Sequence, residues 1–359
     1  MQNIDLSGRS AIVTGAGAGL GRAEALGLAA LGAGVVVNDV GPAGEAVARE
    51  IEASGGRAVA VLGDVSDWSL GERLVEAAVT NFGSLDIVVN NAGITRDSML
   101  FNMTEEQWDD VIAVHLKGHA SVSRAAAVHW RSASKAIGGP VYGRVINTAS
   151  EAFLLGGAGQ ANYAAAKACI VALTLSTARG LSRYGVTANA ICPRARTEMT
   201  AAVFGEGAER GGLDIMAPER VATCVSFLAA PAADKVNGQV FIVYGDMVAL
   251  MAPPVVQQKF IAANASFSVA ELASGVQRFS GSGIQGFRGR LVHVPFGRAN
   301  QPPAASLPPS TCRVVPVTYR DISEARNSAG PATSCGVPGP PRGAHRGQRC
   351  RSSSATKLV

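Results

Sequence analysis

Residues 10–40 read SAIVTGAGAGLGRAEALGLAALGAGVVVNDV, and this stretch decides the fold class. It opens with a short β-branched run that ends in glycine. It continues through a helix-length segment at about residues 19–32 and closes with a second apolar run at 35–40. Neither short run alternates apolar with polar residues, which is typical of strands buried on both faces of a sheet. The stretch therefore predicts a strand, a helix and a second strand of one buried sheet.

The same pattern recurs along the chain as far as about residue 250. Further apolar runs lie at 58–65, 85–93, 143–150, 185–192 and 237–245, and helix-length segments lie at 43–54, 67–82, 104–130, 160–183 and 218–230. Thr104 with Gln107 forms a capping-box pattern, and Pro218 marks another helix start. This alternation predicts an α/β, Rossmann-like fold, a doubly wound parallel seven-stranded sheet with helices on both faces.

The chain changes composition after residue 250. Residues 1–250 carry 19 Lys+Arg against 24 Asp+Glu, whereas residues 251–359 carry 13 against 3 and hold 12 of the 17 prolines. We therefore expect one globular domain over 1–250 and an extension with one possible helix over 251–280. A Pro/Arg/Ser-rich tail over 281–359 is expected to be largely disordered, because it cannot bury enough apolar surface.

Composition also narrows the cellular setting and the partners. The start MQNIDLSGRS has neither the basic nor the apolar region of a signal peptide, and no apolar run reaches the length of a membrane span. The six cysteines form no close CxxC pair, which argues against a metal site or a disulfide framework. The basic tail permits nucleic-acid binding, but there are few aromatic residues and no recognisable motif. We expect a cytoplasmic protein that contacts neither membrane nor nucleic acid.

A glycine-rich turn, TGAGAGLG at 14–21, joins the first predicted strand to the first helix. Its GxxxGxG spacing allows close backbone approach and leaves the N–H groups of the helix start free for a pyrophosphate. Tight turns need glycine in any case, so the position between strand and helix is what indicates a dinucleotide. The cofactor-binding residues predicted in this turn are Thr14, Gly15, Gly19, Leu20 and Gly21.

Polar residues close the next three predicted strands. Asp39 closes the second strand, where a carboxylate can hydrogen-bond the adenosine ribose and repel a 2′-phosphate, so the sequence favours NAD over NADP. Taken alone, Asp39 is explained equally well as a solvated aspartate at the end of a strand. Asp64 and Val65 close the third strand and could contact the adenine edge, although a plain turn explains Asp64 nearly as well. The NNAG motif closes the fourth strand and either lines the cofactor's ribose or ties loops together. Its predicted contact residues are Asn91, Ala92 and Gly93.

The stretch GQANYAAAK places Tyr163 and Lys167 one helical turn apart on one face of a predicted helix. Such a pair is common in helices and by itself indicates no chemistry. Together with the glycine-rich turn, the NNAG motif and Ser150 at the end of the fifth predicted strand, it resembles the short-chain dehydrogenase/reductase family. The resemblance covers about residues 5–250. Each motif is weak singly, whereas the set in this order is specific.

The resemblance implies a mechanism and assigns residues to it. Tyr163 would be the acid/base on the substrate oxygen, Lys167 would favour its phenolate and hold the nicotinamide ribose, and Ser150 would hydrogen-bond the same oxygen. Hydride would pass directly between the substrate carbon and the nicotinamide. Pro193 and Thr197, in CPRARTEMT, complete the cofactor contacts that the resemblance implies. Within this segment an arginine, residue 194, stands where the family usually has glycine.

A second departure is VIAVHLKG, where His115 stands at the position of a fourth catalytic residue, asparagine, in many members. In the family that residue acts largely through its backbone carbonyl, which holds a water of the proton relay. A histidine can supply the same carbonyl, so the resemblance keeps His115 among the catalytic residues. A buried core histidine is the alternative.

Four segments, VVVND, VHLKG, GQANYAAAK and EMT, resemble one branch most, the (3R)-hydroxyacyl-CoA and 17β-hydroxysteroid dehydrogenases of lipid and steroid breakdown. The resemblance implies an NAD-dependent oxidoreductase that interconverts a secondary alcohol and a ketone on an acyl-CoA or a steroid. It also implies a homodimer or homotetramer. The glycine-interrupted segment at about 198–216 is predicted to be mobile, as a lid would be, with a plain surface loop as the alternative. The alternatives are a 3-oxoacyl-(acyl-carrier-protein) reductase that uses NADPH and an inactive NAD-binding sensor.

Overall fold

The computed structural model describes residues 3–198, 200, 209–210, 213–254, 261–262 and 266–274. The tail predicted at 281–359 and most of the lid predicted at 198–216 lie outside these residues. Within the predicted extension, residues 269–274 are helical, and Ser268 and Glu271 exchange hydrogen bonds at the start of this turn. The domain boundaries stay predictions.

Eight strands form one mostly parallel sheet at the centre of the domain. They are β1 (Ser10–Thr14), β2 (Gly34–Asp39), β3 (Arg57–Leu62), β4 (Ile87–Asn90), β5 (Gly143–Thr148), β6 (Val186–Pro193), β7 (Val240–Tyr244) and β8 (Met247–Leu250). Their order across the sheet is β8-β7-β6-β5-β4-β1-β2-β3. Strands β1 to β7 are parallel, which confirms the doubly wound fold and its seven predicted strands. The count is short by one, because β8 adds an antiparallel edge strand beside β7.

Helices cover both faces of the sheet. They are α1 (Gly19–Ala30), α2 (Ala43–Ala53), α3 (Leu70–Phe82), α4 (Glu105–Ile112), α5 (Gly118–Ile137), α6 (Ala152–Leu155), α7 (Ala161–Leu181) and α8 (Pro218–Ala229). Side chains of α1, α2 and α8 pack on one face, and those of α3, α5 and α7 on the other. Within β2, Val35 and Val37 belong to the first layer and Val36 to the second. Burial on both faces is why the strand sequences are apolar without alternation.

The helix predicted at 104–130 is two α-helices separated by a π-helical turn. Thr104 caps α4, and it forms both hydrogen bonds of the predicted capping box with Gln107. The π-helical turn Ala113–Lys117 carries His115, and α5 then continues beyond the predicted end. A π-helical turn inside a helix often marks a functional site.

Helix α7 corrects one statement of the sequence analysis. By length and composition alone, the helical stretch Ala161–Tyr184 is long and apolar enough to cross a membrane, with a mean hydropathy of 1.2. It packs against β5 and β6, and its buried side chains include Lys167 and Ile170. Only 28% of its apolar 18-residue stretch is buried within the chain. Helix α7 is therefore a core helix of the domain with an additional exposed apolar face.

The strand order determines where a ligand fits. Strand β1 lies between β2 and β4, and the helices that follow β1 and β4 cover opposite faces of the sheet. In such sheets a crevice opens at this point, outside the carboxyl ends of the strands. The turns after the central strands meet there, and these turns carry most of the predicted site residues.

Candidate active site

One cavity of about 700 Å³ opens at the carboxyl ends of the strands, and all but two of the predicted site residues line it. Those that line it are Gly15, Gly19, Leu20, Asp39, Asp64, Val65, Asn91, Ala92, Gly93, His115, Ser150, Tyr163, Lys167, Pro193 and Thr197. The two exceptions are Thr14 and Gly21. In the described part of the chain, no group of three or more His, Cys, Asp or Glu side chains is arranged to hold a metal ion.

Thr14 and Gly21 lie behind the cavity wall and hold its parts together. The Thr14 hydroxyl accepts hydrogen bonds from the backbone N–H groups of Asn91 at 3.0 Å and Ala92 at 3.1 Å. A Cβ at Gly21 would lie 2.3 Å from the carbonyl oxygen of Gly15, so only glycine fits there. These two residues join the NNAG motif to the glycine-rich turn, and they do not themselves line the cavity.

The glycine-rich turn has the room and the donors for a pyrophosphate. Gly15 has a φ of +61°, and a Cβ there would lie 2.7 Å from the Cα of Ala92. Ala18 precedes α1 and offers no side-chain cap to the N–H groups of its first turn. Uncapped N–H groups at a helix start beside a cavity suit an anionic phosphate. The turn therefore fits a dinucleotide.

Asp39 lies at the end of β2, beside the glycine-rich turn. Its carboxylate accepts the N–H of Gly17 at 2.8 Å and the N–H of Gly41 at 3.3 Å, so two backbone groups fix its position. No described residue that lines the cavity after β2 or β3 is basic. The Asp39 carboxylate therefore has no basic side chain beside it in this part of the cavity wall.

Asp64 and Val65 follow β3 and occupy the same end of the cavity. The Asp64 carboxylate accepts the N–H of Ser66 at 2.8 Å, which is a turn interaction. Val65 is buried against Gly118, where a Cβ would lie 2.8 Å from the Val65 Cγ2 atom. Both interpretations of Asp64, turn residue and cavity residue, therefore agree with the structure.

Ser150, Tyr163 and Lys167 meet beside the end of β5. The Ser150 hydroxyl is close enough to the Tyr163 hydroxyl to lower its pKa. Lys167 lies one turn further along α7, and its Nζ donates to the Thr148 carbonyl at 2.6 Å. The same Nζ lies 5.4 Å from the centroid of the Tyr163 ring. A substrate oxygen bound here can contact the hydroxyls of Ser150 and Tyr163, and the Lys167 amine lies near both.

Burial controls the acid–base properties of this group. It raises the pKa of Tyr163 to about 12, and the nearby Ser150 hydroxyl only partly opposes this rise. Burial also lowers the pKa of Lys167 to about 7, so the amine is close to half protonated at neutral pH. In this structure protonated Tyr163 is the resting form, in contrast to the phenolate that the family resemblance implies.

His115 lies on the π-helical turn and packs edge-on to Tyr163, with ring centroids 5.2 Å apart and planes at 89°. Its Nε2 lies 2.7 Å from the carbonyl oxygen of Ile94 and 3.0 Å from the Ile94 nitrogen. Burial and then the charge of Lys167 lower the pKa of His115 to about 3, so the ring is neutral. A Cβ at Gly93 would lie 2.4 Å from the His115 Cε1, which explains the glycine of NNAG. His115 is thus a buried core histidine that also lines the cavity.

The segment after β6 encloses the cavity from another side, and Pro193 and Thr197 both line it. The Thr197 Cγ2 would lie 3.2 Å from a Cβ on Gly19, so this segment reaches across to the glycine-rich turn. The Thr197 N–H donates to the Thr200 hydroxyl at 2.9 Å, and that hydroxyl donates to the Ala195 carbonyl at 2.5 Å. These hydrogen bonds fix the segment locally.

Some residues that build the site are missed by the sequence analysis. Asn162 is fully buried, and its Nδ2 donates to the carbonyls of Arg96 at 3.1 Å and Gln107 at 2.9 Å. Its Oδ1 accepts the N–H of Tyr163 at 2.8 Å, which fixes the start of α7. A polar residue directly before Tyr163 is a sequence signal, but its partners lie far along the chain. Glu151, beside Ser150, is missed in the same way.

A sequence model of the short chain dehydrogenase family matches residues 9–206. The chain belongs to this family, as its motifs indicate, and it is an oxidoreductase that acts on CH–OH groups with NAD or NADP as cofactor. The glycine-rich turn and the Ser150–Tyr163–Lys167 cluster lie within the matched residues.

Individual relatives give the same class. The chain is 58% identical over 284 residues to the hydroxyacyl-CoA dehydrogenase ChsB1 of Mycobacterium tuberculosis, a match that covers 77% of this chain and 89% of that protein. It is 40% identical over 253 residues to a 3-oxoacyl-[acyl-carrier-protein] reductase of Synechocystis, covering 68% of this chain and 98% of that protein. A crystal structure of a short chain dehydrogenase from Mycobacterium avium matches with a TM-score of 0.69 at 46% identity, over 77% of this chain and 95% of that chain.

Proposed function

We propose that the chain oxidises the secondary alcohol of a (3R)-3-hydroxyacyl-CoA to the 3-oxoacyl-CoA, with NAD as the hydride acceptor. The observation that carries the reaction type is that Ser150, Tyr163 and Lys167 all line the cavity wall, with the Lys167 amine held by the Thr148 carbonyl at 2.6 Å and lying 5.4 Å from the centroid of the Tyr163 ring. The similarity to the mycobacterial hydroxyacyl-CoA dehydrogenase supports the substrate class.

The proposed roles follow from the protons that these residues can hold. In oxidation, Tyr163 first loses its own hydroxyl proton to solvent; as phenolate it then takes the proton of the substrate hydroxyl, and Ser150 donates a hydrogen bond to the same oxygen. Lys167 must be protonated at that moment, because its positive charge stabilises the phenolate. Bound NAD would accept the hydride from the substrate carbon. In reduction, Tyr163 returns its proton to the carbonyl oxygen.

His115 is proposed to act through its packing and its backbone carbonyl, and not through a titrating ring. A pKa of about 3 keeps the imidazole neutral across the working range of the enzyme. The ring supports the Tyr163 side chain from the edge. The buried His119 ring lies one turn further along the helix and interacts with the His115 backbone.

The proposed cofactor is NAD, on the strength of the charge at Asp39. Two backbone N–H groups hold the Asp39 carboxylate, so it cannot easily turn away from a 2′-phosphate. The carboxylate and a 2′-phosphate are both negatively charged and would repel each other, which disfavours NADP. The residues proposed to complete the cofactor site are Gly15, Gly19, Leu20, Asp64, Val65, Asn91, Ala92, Gly93, Pro193 and Thr197.

Two other substrates stay open to the test. A 3-oxoacyl-(acyl-carrier-protein) is the second candidate, because the cyanobacterial reductase is matched over nearly its whole length. That reaction would require NADPH, which Asp39 disfavours. A 17β-hydroxysteroid is the third, and it would use the same hydroxyl cluster.

We further propose that the protein works in the cytoplasm as a homodimer or homotetramer. The support for assembly is the face of α7 that is apolar and only partly buried in the single chain. An exposed apolar face of this kind is typical of a surface that another subunit covers.

The test is NADH formation by the purified protein, followed by absorbance. A (3R)-3-hydroxyacyl-CoA and a 17β-hydroxysteroid are offered with NAD and with NADP. Tyr163→Phe serves as the matched variant, because it removes only the hydroxyl. We expect turnover of the acyl-CoA with NAD and a loss of about a hundredfold or more in kcat in Tyr163→Phe.

Each other outcome points to a different correction. Undiminished turnover in Tyr163→Phe would remove Tyr163 from the mechanism. Preference for the steroid would move the substrate assignment to a 17β-hydroxysteroid, and preference for NADP would move the cofactor assignment to NADP, as the reductase alternative requires. Cofactor binding without turnover of any alcohol would support the sensor.

A further inference from the structure

Glu151 and Arg194 form a buried ion pair beside the hydroxyl cluster. The Glu151 Oε2 accepts from the Arg194 Nε at 2.6 Å, and its Oε1 accepts from Nη2 at 3.1 Å, so the contact is bidentate. The two side chains are 4% and 15% exposed, respectively. Glu151 directly follows Ser150, and Arg194 directly follows Pro193. The pair therefore joins two segments that each line the cavity.

The ion pair lies beyond the last backbone hydrogen bond between these two segments. Strands β5 and β6 are joined as far as Ala149, whose N–H donates to the Ile191 carbonyl at 2.7 Å. Beyond that point the first segment turns into α6. The second turns toward β7, where the Arg194 N–H donates to the Val243 carbonyl at 2.9 Å. Glu151 and Arg194 thus bridge two diverging segments.

Both ends of this bridge are fixed. The carbon at the centre of the Arg194 guanidinium lies 4.5 Å from the centroid of the Tyr244 ring. A guanidinium that is both stacked and bidentate has a defined orientation. On the other side, the Glu151 carbonyl accepts the N–H of Leu154 at 2.9 Å, and the Ser150 hydroxyl accepts the N–H of Ala152 at 3.1 Å. Movement of Glu151 would therefore move Ser150.

Stability alone does not account for the pair. Burial raises the pKa of Glu151 even though the hydrogen bond and charge of Arg194 oppose it, so desolvation outweighs the attraction. Buried ion pairs can often be replaced by neutral residues of similar volume with no loss of stability. The pair does, however, fix the distance between two segments that carry different parts of the site.

We propose that Glu151 and Arg194 are positioning residues that fix Ser150, and with it the substrate oxygen, relative to the segment 193–197 on the proposed nicotinamide side. This inference rests on the roles proposed above for Ser150 and Tyr163. A displacement of about 1 Å can slow an enzymatic step a hundredfold. Loss of the bridge should therefore slow hydride transfer and change ground-state binding little.

The experiment uses the full-length chain and the neutral double variant E151Q/R194M, which removes both charges together and leaves neither unpaired. The substrate is a (3R)-3-hydroxyacyl-CoA, with and without deuterium on the carbinol carbon. We expect kcat to fall roughly tenfold to a hundredfold. The deuterium isotope effect on kcat should rise, because hydride transfer becomes slower relative to the other steps. The dissociation constant for NADH and the KM for substrate should each change less than about threefold.

Two single variants calibrate this result. Arg194→Lys keeps the charge and one hydrogen bond but loses the bidentate contact. Its kcat and its isotope effect should therefore lie between those of the parent chain and those of E151Q/R194M. Arg49→Met is the control, because Arg49 and Glu45 form an exposed ion pair at 3.9 Å on α2. Its kcat and isotope effect should equal those of the parent chain.

The outcomes separate this inference from the proposed function. Parental kcat and isotope effect in E151Q/R194M would overturn it, and so would a fall in kcat that only follows a loss of folded protein. If the double variant does not fold, Arg194→Lys decides, with a raised isotope effect expected and parental values contradicting the proposal. An active Tyr163→Phe would instead show that the proposed chemistry is wrong.

Discussion

A single charge, that of Asp39, is responsible for the proposed cofactor preference. Asp39→Asn keeps an oxygen that can accept the N–H of Gly17 but removes the charge that would repel a 2′-phosphate. We expect the ratio of kcat/KM for NAD to that for NADP to fall roughly tenfold, or about 1.4 kcal/mol. Steady-state kinetics with both cofactors measures this ratio. Asp67→Asn, in an exposed turn outside the cavity, should leave it unchanged. An unchanged ratio in Asp39→Asn would place the preference elsewhere.

Glu24 is a fully buried carboxyl group on α1, and neither of its oxygens has a hydrogen-bond partner among the described residues. Burial raises its pKa from 4.5 to about 8. Between these two values the folded chain keeps a proton that the unfolded chain has lost. The free energy of unfolding therefore falls as pH rises through this window, by about 1.4 kcal/mol per pH unit.

Glu24→Gln should remove that dependence, because the amide is neutral in both states. At pH 7 the variant should be more stable than the parent chain by up to about 3 kcal/mol. The difference should vanish near the unfolded pKa of 4.5. Urea unfolding from pH 5 to pH 8 measures it, with Glu52→Gln on the exposed face of α2 as the control. Parallel pH profiles for Glu24→Gln and the parent chain would contradict the prediction.

At the residue scale, the sequence predicts which residues line the cavity better than it predicts their protonation states. The helical spacing of Tyr163 and Lys167 brings both to the cavity wall. The pKa of each depends on burial by elements far along the chain, and no local pattern records that burial. The pairing of Glu151 with Arg194, 43 residues apart, is hidden for the same reason.

At the element scale, the start of α4 depends on one side-chain cap. The Thr104 hydroxyl accepts the N–H of Gln107, and the Gln107 side chain returns a hydrogen bond to the Thr104 backbone. Thr104→Ala should lower the free energy of unfolding by about 1 kcal/mol, because a helix N–H loses its acceptor. Denaturant unfolding measures the change. Thr80→Ala, on the exposed surface of α3, should cause no loss, since alanine favours helix. Equal stability of the two variants would argue against the cap.

Elements with a local signal are the ones that the sequence predicts. The capping box at Thr104 and the proline at residue 218 both mark helix starts correctly. The π-helical turn has no such signal, because its apolar residues continue the helical pattern on either side. Strand β8 escapes prediction because it lies at the sheet edge, where its side chains alternate between half-buried and exposed. Strand β8 thus lacks the two-sided burial that gives the inner strands of this sheet their apolar sequences.

For the whole molecule, the fold follows from repetition. Each of the strands β1 to β5 is short, largely apolar and followed by a helix, so a doubly wound sheet is the arrangement that covers both of their faces. The strand order then brings the glycine-rich turn, the NNAG motif and Ser150 to one crevice, although they are distant in sequence. The substrate is not predicted in this way, because the segment expected to cover it lies largely outside the described residues.

For the whole molecule, the exposed side of α7 predicts that the protein forms an oligomer. Ala168, Ala172 and Ser176 lie one turn apart on its exposed side, where small residues let another subunit approach closely. We expect the parent chain to be a dimer or tetramer by light scattering, and Ala172→Arg to shift it toward the monomer. Ala46→Arg, exposed on α2, should keep the parental mass. A monomeric parent chain would contradict the prediction, and parental mass in Ala172→Arg would move the interface to another surface. Because Tyr163 begins the same helix, kcat should fall together with the oligomer mass.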